Sequence, residues 1–188
     1  MAAGRCDGPA GACDAELVVM VGLQGAGKTT WVAEHLAGTH VVVSKDHWPN
    51  ARHREARQRR VVAELLAEGA SVVVDNTDPS PAERAALVEL AVAAGVPARA
   101  VFLDVPLDTC RRRNDARTGR ARVPDVGLFS TAARLVPPST AEGFASVEVI
   151  RPLPVAGFSR PPAGGQGAFR QAAGPEDDRG RGSASADI

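Results

Sequence analysis

Tyrosine is absent from this 188-residue chain, and five Phe and two Trp are its only aromatic residues. Proteins that grip single strands by stacking bases need an aromatic platform, so recognition of that kind has little to stand on here. Net charge is absent as well, because 22 basic and 22 acidic side chains cancel. No overall field draws the molecule toward nucleic acid or an anionic membrane, and an anionic ligand has to be met by a local cluster. No apolar run reaches the length of a signal peptide or a membrane span. We therefore expect a cytoplasmic protein with no membrane partner. Cys6, Cys13 and Cys110 are odd in number and lack metal-ligand spacing, as in a reduced intracellular chain. Lysine is the last scarcity: against abundant arginine, only Lys28 and Lys45 occur. A lysine kept in so arginine-rich a chain hints at a chemical need.

What is present is one folded unit's worth of alternating pattern. Residues 1–16 and 152–188 are rich in Gly, Ala and Pro without apolar periodicity and read as a disordered lead and tail around a domain at 17–151. Inside it, "LVVMV" (17–21), "HVVV" (40–43), "SVVVD" (71–75), "ARAVFLDV" (98–105) and "SVEVI" (146–150) read as strands. Helical patterns lie between them: one from Lys28, one through about residue 68 stopped by Gly69, one opened by the Ser80–Glu83 capping box with Pro81, and the arginine-rich "DTCRRRNDAR". Doubly apolar strands separated by helices imply a parallel sheet covered on both faces, a three-layer α/β domain. Ligands of such sheets bind at the strands' C-terminal ends, where Gly22, Asp46, Asp75 and Asp104 fall.

The first strand runs into Gly22-Leu-Gln-Gly-Ala-Gly27-Lys28-Thr29, a match to G-x-x-x-x-G-K-[ST] in the strand–helix setting that the motif requires. Glycines let main-chain N–H groups turn inward around phosphate oxygens, and the helix start adds positive potential. Gly22, Gly25, Ala26, Gly27, Lys28, Thr29 and Thr30 are thus the expected nucleotide-binding set, with Lys28 on the outer phosphates and the Thr29 hydroxyl on magnesium. The guanine-reading Asn-Lys-x-Asp sequence is missing, which argues against a GTPase. Small size and an arginine-rich segment after the fourth strand suggest a kinase with a mobile lid.

Three other places carry candidate chemistry. Asp46 follows the second strand and suits a general base for an attacking hydroxyl, although Ser44 and Asp46 are also good helix-capping residues. Asp75 ends an apolar strand, as a magnesium-side carboxylate does, and equally suits a turn into Asp78-Pro79; Asn76 and Thr77 add hydrogen-bonding groups. Arg111, Arg112, Arg113, Arg117, Arg120 and Arg122 cluster, with Arg113 and Arg117 spaced to share a helix face and clamp a phosphate. A solvated arginine face is the plainer alternative there. It is also the plainer one for "ARHREARQRR" (51–60), whose other reading is a wall along an anionic substrate.

Taken together, "VGLQGAGKTT", "VVSKD", "VVVDNTDPSPAER", "AAGVPARAVFL", "RNDAR…RVP" and "PPSTAEGF" resemble, in order and spacing, the kinase half of polynucleotide 5'-hydroxyl kinases over about residues 17–151. The resemblance implies a P-loop NTPase fold with an Arg-rich lid that uses ATP and Mg2+ to phosphorylate a hydroxyl, by preference a nucleic-acid 5' end. It also implies Asp46 as the base, Asp75 with Asn76 on the acceptor side, and Arg113 and Arg117 as lid residues. Two departures matter. The chain has no D-x-D-G-T sequence, so no phosphatase domain is expected within it, and Lys45 and Pro49 stand where relatives carry arginines. A small-molecule hydroxyl kinase acting on a sugar, nucleoside or antibiotic is thus the second expectation, and a non-catalytic ATP-binding regulatory module the third.

Overall fold

A computed structural model of the chain describes residues 15–50 and 52–151. The expected lead and tail, with Cys6 and Cys13, lie outside the described residues. Among the described residues, five strands form one sheet: β1 (Leu17–Val21), β2 (Val41–Val43), β3 (Val72–Val74), β4 (Ala98–Leu103) and β5 (Ser146–Ile150). Their order is β2-β3-β1-β4-β5 and every pairing is parallel, with Leu17 beside Val72 on one side and Ala98 on the other. Central β1 has no exposed residue.

The period-two alternation of the strands divides the core into two layers. Leu17, Val19, Val21, Val72, Val74, Ala100 and Phe102 pack against α2 (Arg54–Ala67) and α3 (Pro81–Ala94). Val18, Met20, Val73, Val101 and Leu103 pack against α1 (Lys28–His35), α4 (Leu107–Asp115) and α5 (Asp125–Arg134). A sheet covered on both faces by helices is the expected three-layer α/β architecture.

The local signals act as the sequence suggests. Gly69 ends α2 at φ 77°, with its N–H on the Leu66 carbonyl (3.0 Å) and the Ala70 N–H on that of Leu65 (3.0 Å). Ser80 caps α3, accepting from the Glu83 N–H (3.4 Å) while the Ser80 N–H donates to Glu83 Oε2 (3.0 Å). The arginine-rich helix is shorter than expected, since α4 ends at Asp115 and leaves Arg117 beyond it. Asn114 stops it by closing a ring on Val123, donating to its carbonyl (2.7 Å) and accepting from its N–H (3.0 Å). Arg113 and Arg117 therefore do not share a helix face. Helix α5 is an element beyond those that the sequence pattern marks.

Candidate functional site

The C-terminal ends of β1, β2 and β3 open into a cleft of about 1320 Å³. Its floor is the loop between β1 and α1. Gly25 (φ 83°) and Gly27 (φ 105°) take left-handed conformations there, and a Cβ on Gly25 would stand 2.5 Å from the Cys110 carbonyl oxygen of α4. Close passage over α4 thus forces glycine at that position. The loop delivers the first turn of α1, whose leading N–H groups have no acceptor within the helix, toward the cleft lined by Lys28, Thr29 and Thr30.

Lys28 is buried and donates to the Gly22 (3.0 Å) and Leu23 (2.9 Å) carbonyls, which hold its ammonium inside the loop. Burial lowers its pKa, and the facing charge of Asp75 opposes that. Thr29 Oγ1 donates to Asp75 Oδ2 at 2.6 Å. Burial raises the pKa of Asp75, while the Thr29 hydroxyl and Lys28 pull it down. A hydroxyl and a carboxylate converging beside a phosphate loop suit magnesium, which takes few protein oxygens and completes its shell with phosphate and water. The described residues hold no cluster of three or more His, Cys, Asp or Glu that would form an all-protein metal cage.

Across the cleft, Ser44 accepts from the Asp46 N–H (3.4 Å) and donates to the Asp75 carbonyl (2.9 Å). The cap expected here is therefore supplied by Ser44. The Asp46 carboxylate is exposed on the cleft wall and has no hydrogen bond or ion pair among the described residues. Asn76 is buried, with Oδ1 accepting from the Lys45 N–H (3.1 Å) and Nδ2 donating to Gln58 Oε1 (2.9 Å). Its amide ties the ends of β2 and β3 to α2 and so holds the Lys45–Asp46 turn.

The two arginines expected in the lid part company. Arg113 Nη1 donates to the Ala26 (3.2 Å) and Gly25 (3.4 Å) carbonyls, bracing the loop from outside the cleft lining. Arg117 lines the cleft with Arg120, and neither guanidinium has a partner among the described residues. Asp104, at the end of β4, lies outside the cleft lining and accepts from Arg151 (2.9 Å). The stretch 51–60 proves mixed. Arg54 and Arg59 line the cleft, Arg57 lies over the Trp48 ring (5.2 Å), and Arg60 pairs with Glu64 (3.7 Å).

The framework behind these groups carries no local signal in the sequence. Arg84 is fully buried and gives two hydrogen bonds to Glu142 (2.7 and 2.8 Å) and one to the Asp78 carbonyl (3.0 Å). The E-G-F run thus anchors the turn after β3, a role hidden because its partner lies 58 residues away.

A family model described as an AAA domain matches residues 17–137. The chain belongs to that family. Its fold is that of P-loop kinases: a sugar kinase from Janibacter sp. superposes with a TM-score of 0.54 at 23% identity, covering 73% of this chain and 84% of that one. A fungal RNA kinase superposes with a TM-score of 0.55 at 16% identity, covering 72% and 73%. Among curated proteins, the bifunctional polynucleotide phosphatase/kinase of Schizosaccharomyces pombe is 28% identical over 140 residues, 72% of this chain. The chain spans about a third of that relative's length (33%). No helix among the described residues is long and apolar enough to cross a membrane.

Proposed function

We propose that this P-loop kinase-type domain transfers the γ-phosphate of ATP to a polynucleotide 5'-hydroxyl, with magnesium as the metal. The observation that carries the reading is the placement of Asp46. Ser44 holds its N–H and Asn76 that of the preceding Lys45, while its own carboxylate stays open to the cleft.

In this reading, Lys28 and the first amides of α1 hold the outer phosphates, and Arg117 offsets charge developing on the transferred group. Thr29 and Asp75 would hold the magnesium ion, which neutralises phosphate charge. The acceptor oxygen attacks γ-phosphorus, the bond from that phosphorus to the β-bridging oxygen breaks, ADP leaves, and the hydroxyl proton passes to Asp46. Arg113 keeps the loop's shape from behind.

Acceptor choice is supported by the cationic walls formed by Lys45, Arg54, Arg59, Arg117 and Arg120, and by the likeness to the S. pombe protein. A small hydroxyl compound is the second reading. Pro49 favours it, since it contributes no charge to the cleft wall where the polynucleotide kinases that the chain resembles carry an arginine. Labelled ATP offered with 5'-hydroxyl oligonucleotides or with a panel of small alcohols separates the two by which product carries label. Product from neither overturns the kinase reading.

A further inference from the structure

Beside the cleft, between α2 and α3, lies a side cavity of about 210 Å³ that shares Glu55 and Arg59 with it. At the liquid's ~30 Å³ per molecule, that is room for about seven waters, enough for one ring system. Its remaining walls include Gln58 and the apolar Ala86 and Leu87 of α3.

The unusual member is Asp78. It is 3% exposed, and its Oδ2 has no hydrogen-bond partner among the described residues. Its Oδ1 stands 4.0 Å from the Lys45 ammonium, which bonds instead to Glu55 at 2.6 Å. Its backbone is held at φ 34°, strained for a non-glycine residue, by the Arg84 bond to its carbonyl. Glu83, also on the cavity wall, is engaged by Ser80 and Arg134. The surroundings thus fix the backbone of Asp78 and leave its carboxyl oxygen without a donor. A buried polar atom in that state calls for an explanation.

We propose that the side cavity is an acceptor subsite that takes the base of the 5'-terminal nucleotide, and that a rotamer change on the cavity wall uncovers Asp78 Oδ2, closed off in the structure, to accept a hydrogen bond from the base's exocyclic amino group. This rests on the polynucleotide reading above. Lys45 links the two sites, since it lines the cleft, immediately precedes Asp46, and faces Asp78. A neutral amino group suits the cavity better than a full cation, because Lys45, Arg59 and Arg134 already stand near Glu55, Asp78 and Glu83. Carbonyl oxygens of uracil or thymine at the same position would face the carboxylate with no donor. The carboxyl's pKa is raised to about 7, mainly by burial; Glu55 and Glu83 push the same way, and Lys45 and Lys28 oppose them. Discrimination should therefore sharpen as pH rises through that value.

The test varies the ligand first, so that folding is not at issue. The full chain is given 5'-hydroxyl oligonucleotides identical except at the first base: adenine against purine, which lacks the amino group, and cytosine against uracil. A charge-assisted hydrogen bond predicts a roughly tenfold or greater fall in kcat/KM on deleting the amino group, carried mainly by KM. Asp78→Ala should narrow that gap to within about twofold while still phosphorylating the uracil-ended strand. Equal kcat/KM for all four ends overturns the subsite and assigns the cavity to water, leaving the kinase reading intact. Phosphorylation of no oligonucleotide overturns the subsite together with the polynucleotide reading it rests on.

Discussion

Replacing Asp78 by Asn should stabilise the protein above neutral pH, because the wild-type carboxylate is held where its charge is poorly solvated. Its pKa is raised from 3.8 to about 7, with burial as the largest cause. Between those values the folded state binds a proton that the unfolded chain has released. Stability therefore falls as pH rises through this window, the reverse of the usual carboxylate case. At 1.36 kcal/mol per unit, about three units amount to on the order of 4 kcal/mol across the whole window. From pH 5 to pH 8 the loss is about 3 kcal/mol, which for a domain of this size corresponds to roughly 10 °C in Tm. Asparagine cannot ionise and tolerates the positive φ of 34° well. Urea or thermal unfolding of both proteins from pH 5 to 8 should show wild type losing ground as pH rises to about 7, with a constant gap above it. Parallel profiles at every pH would refute the assignment of a near-neutral, poorly solvated carboxyl.

Asp46→Asn should lower kcat by on the order of 10²–10⁴-fold with ATP affinity nearly unchanged, as single-turnover kinetics and nucleotide titration would report; a loss of ATP binding instead would assign Asp46 to the nucleotide. Gly25→Ala places a methyl 2.5 Å from the Cys110 carbonyl at φ 83°, so the loop must move off α4 and nucleotide binding should weaken; unaltered affinity by calorimetry would count against the close-approach account. Glu142→Ala leaves the buried Arg84 guanidinium without its carboxylate and should cost about 3–5 kcal/mol in urea unfolding. Less than about 1 kcal/mol would show that the pair is not an anchor.

How much of this was legible in the sequence follows from the range over which each signal acts. The strands, the phosphate loop and the α3 capping box depend on neighbours within a few residues, and each lies where the chain announces it. Helix α5 was hidden because it buries little: Leu128 and Thr131 face inward, but Val126 and Phe129 are exposed, which blurs the helical period. The Arg113–Arg117 pairing assumed that α4 continues, and the Asn114 ring on Val123, nine residues on, ends it. Asp46 and Asp75 were visible as strand-end acids, but what frees the first and engages the second is a set of contacts between β2, β3 and α1. The roles of Arg84, Glu142 and Asp78 could not be read locally, since their meaning lies in bonds spanning up to 58 residues.

The central claim is that the loop from Gly22 to Thr29 grips a nucleoside triphosphate through main-chain amides and the Lys28 ammonium. Equilibrium titration of the full chain with ATP in the presence of magnesium tests it most directly. One saturable site is expected, with affinity severely weakened in Lys28→Ala although that variant stays folded by circular dichroism. No saturable binding by the wild-type protein, or undiminished binding by the variant, would contradict it.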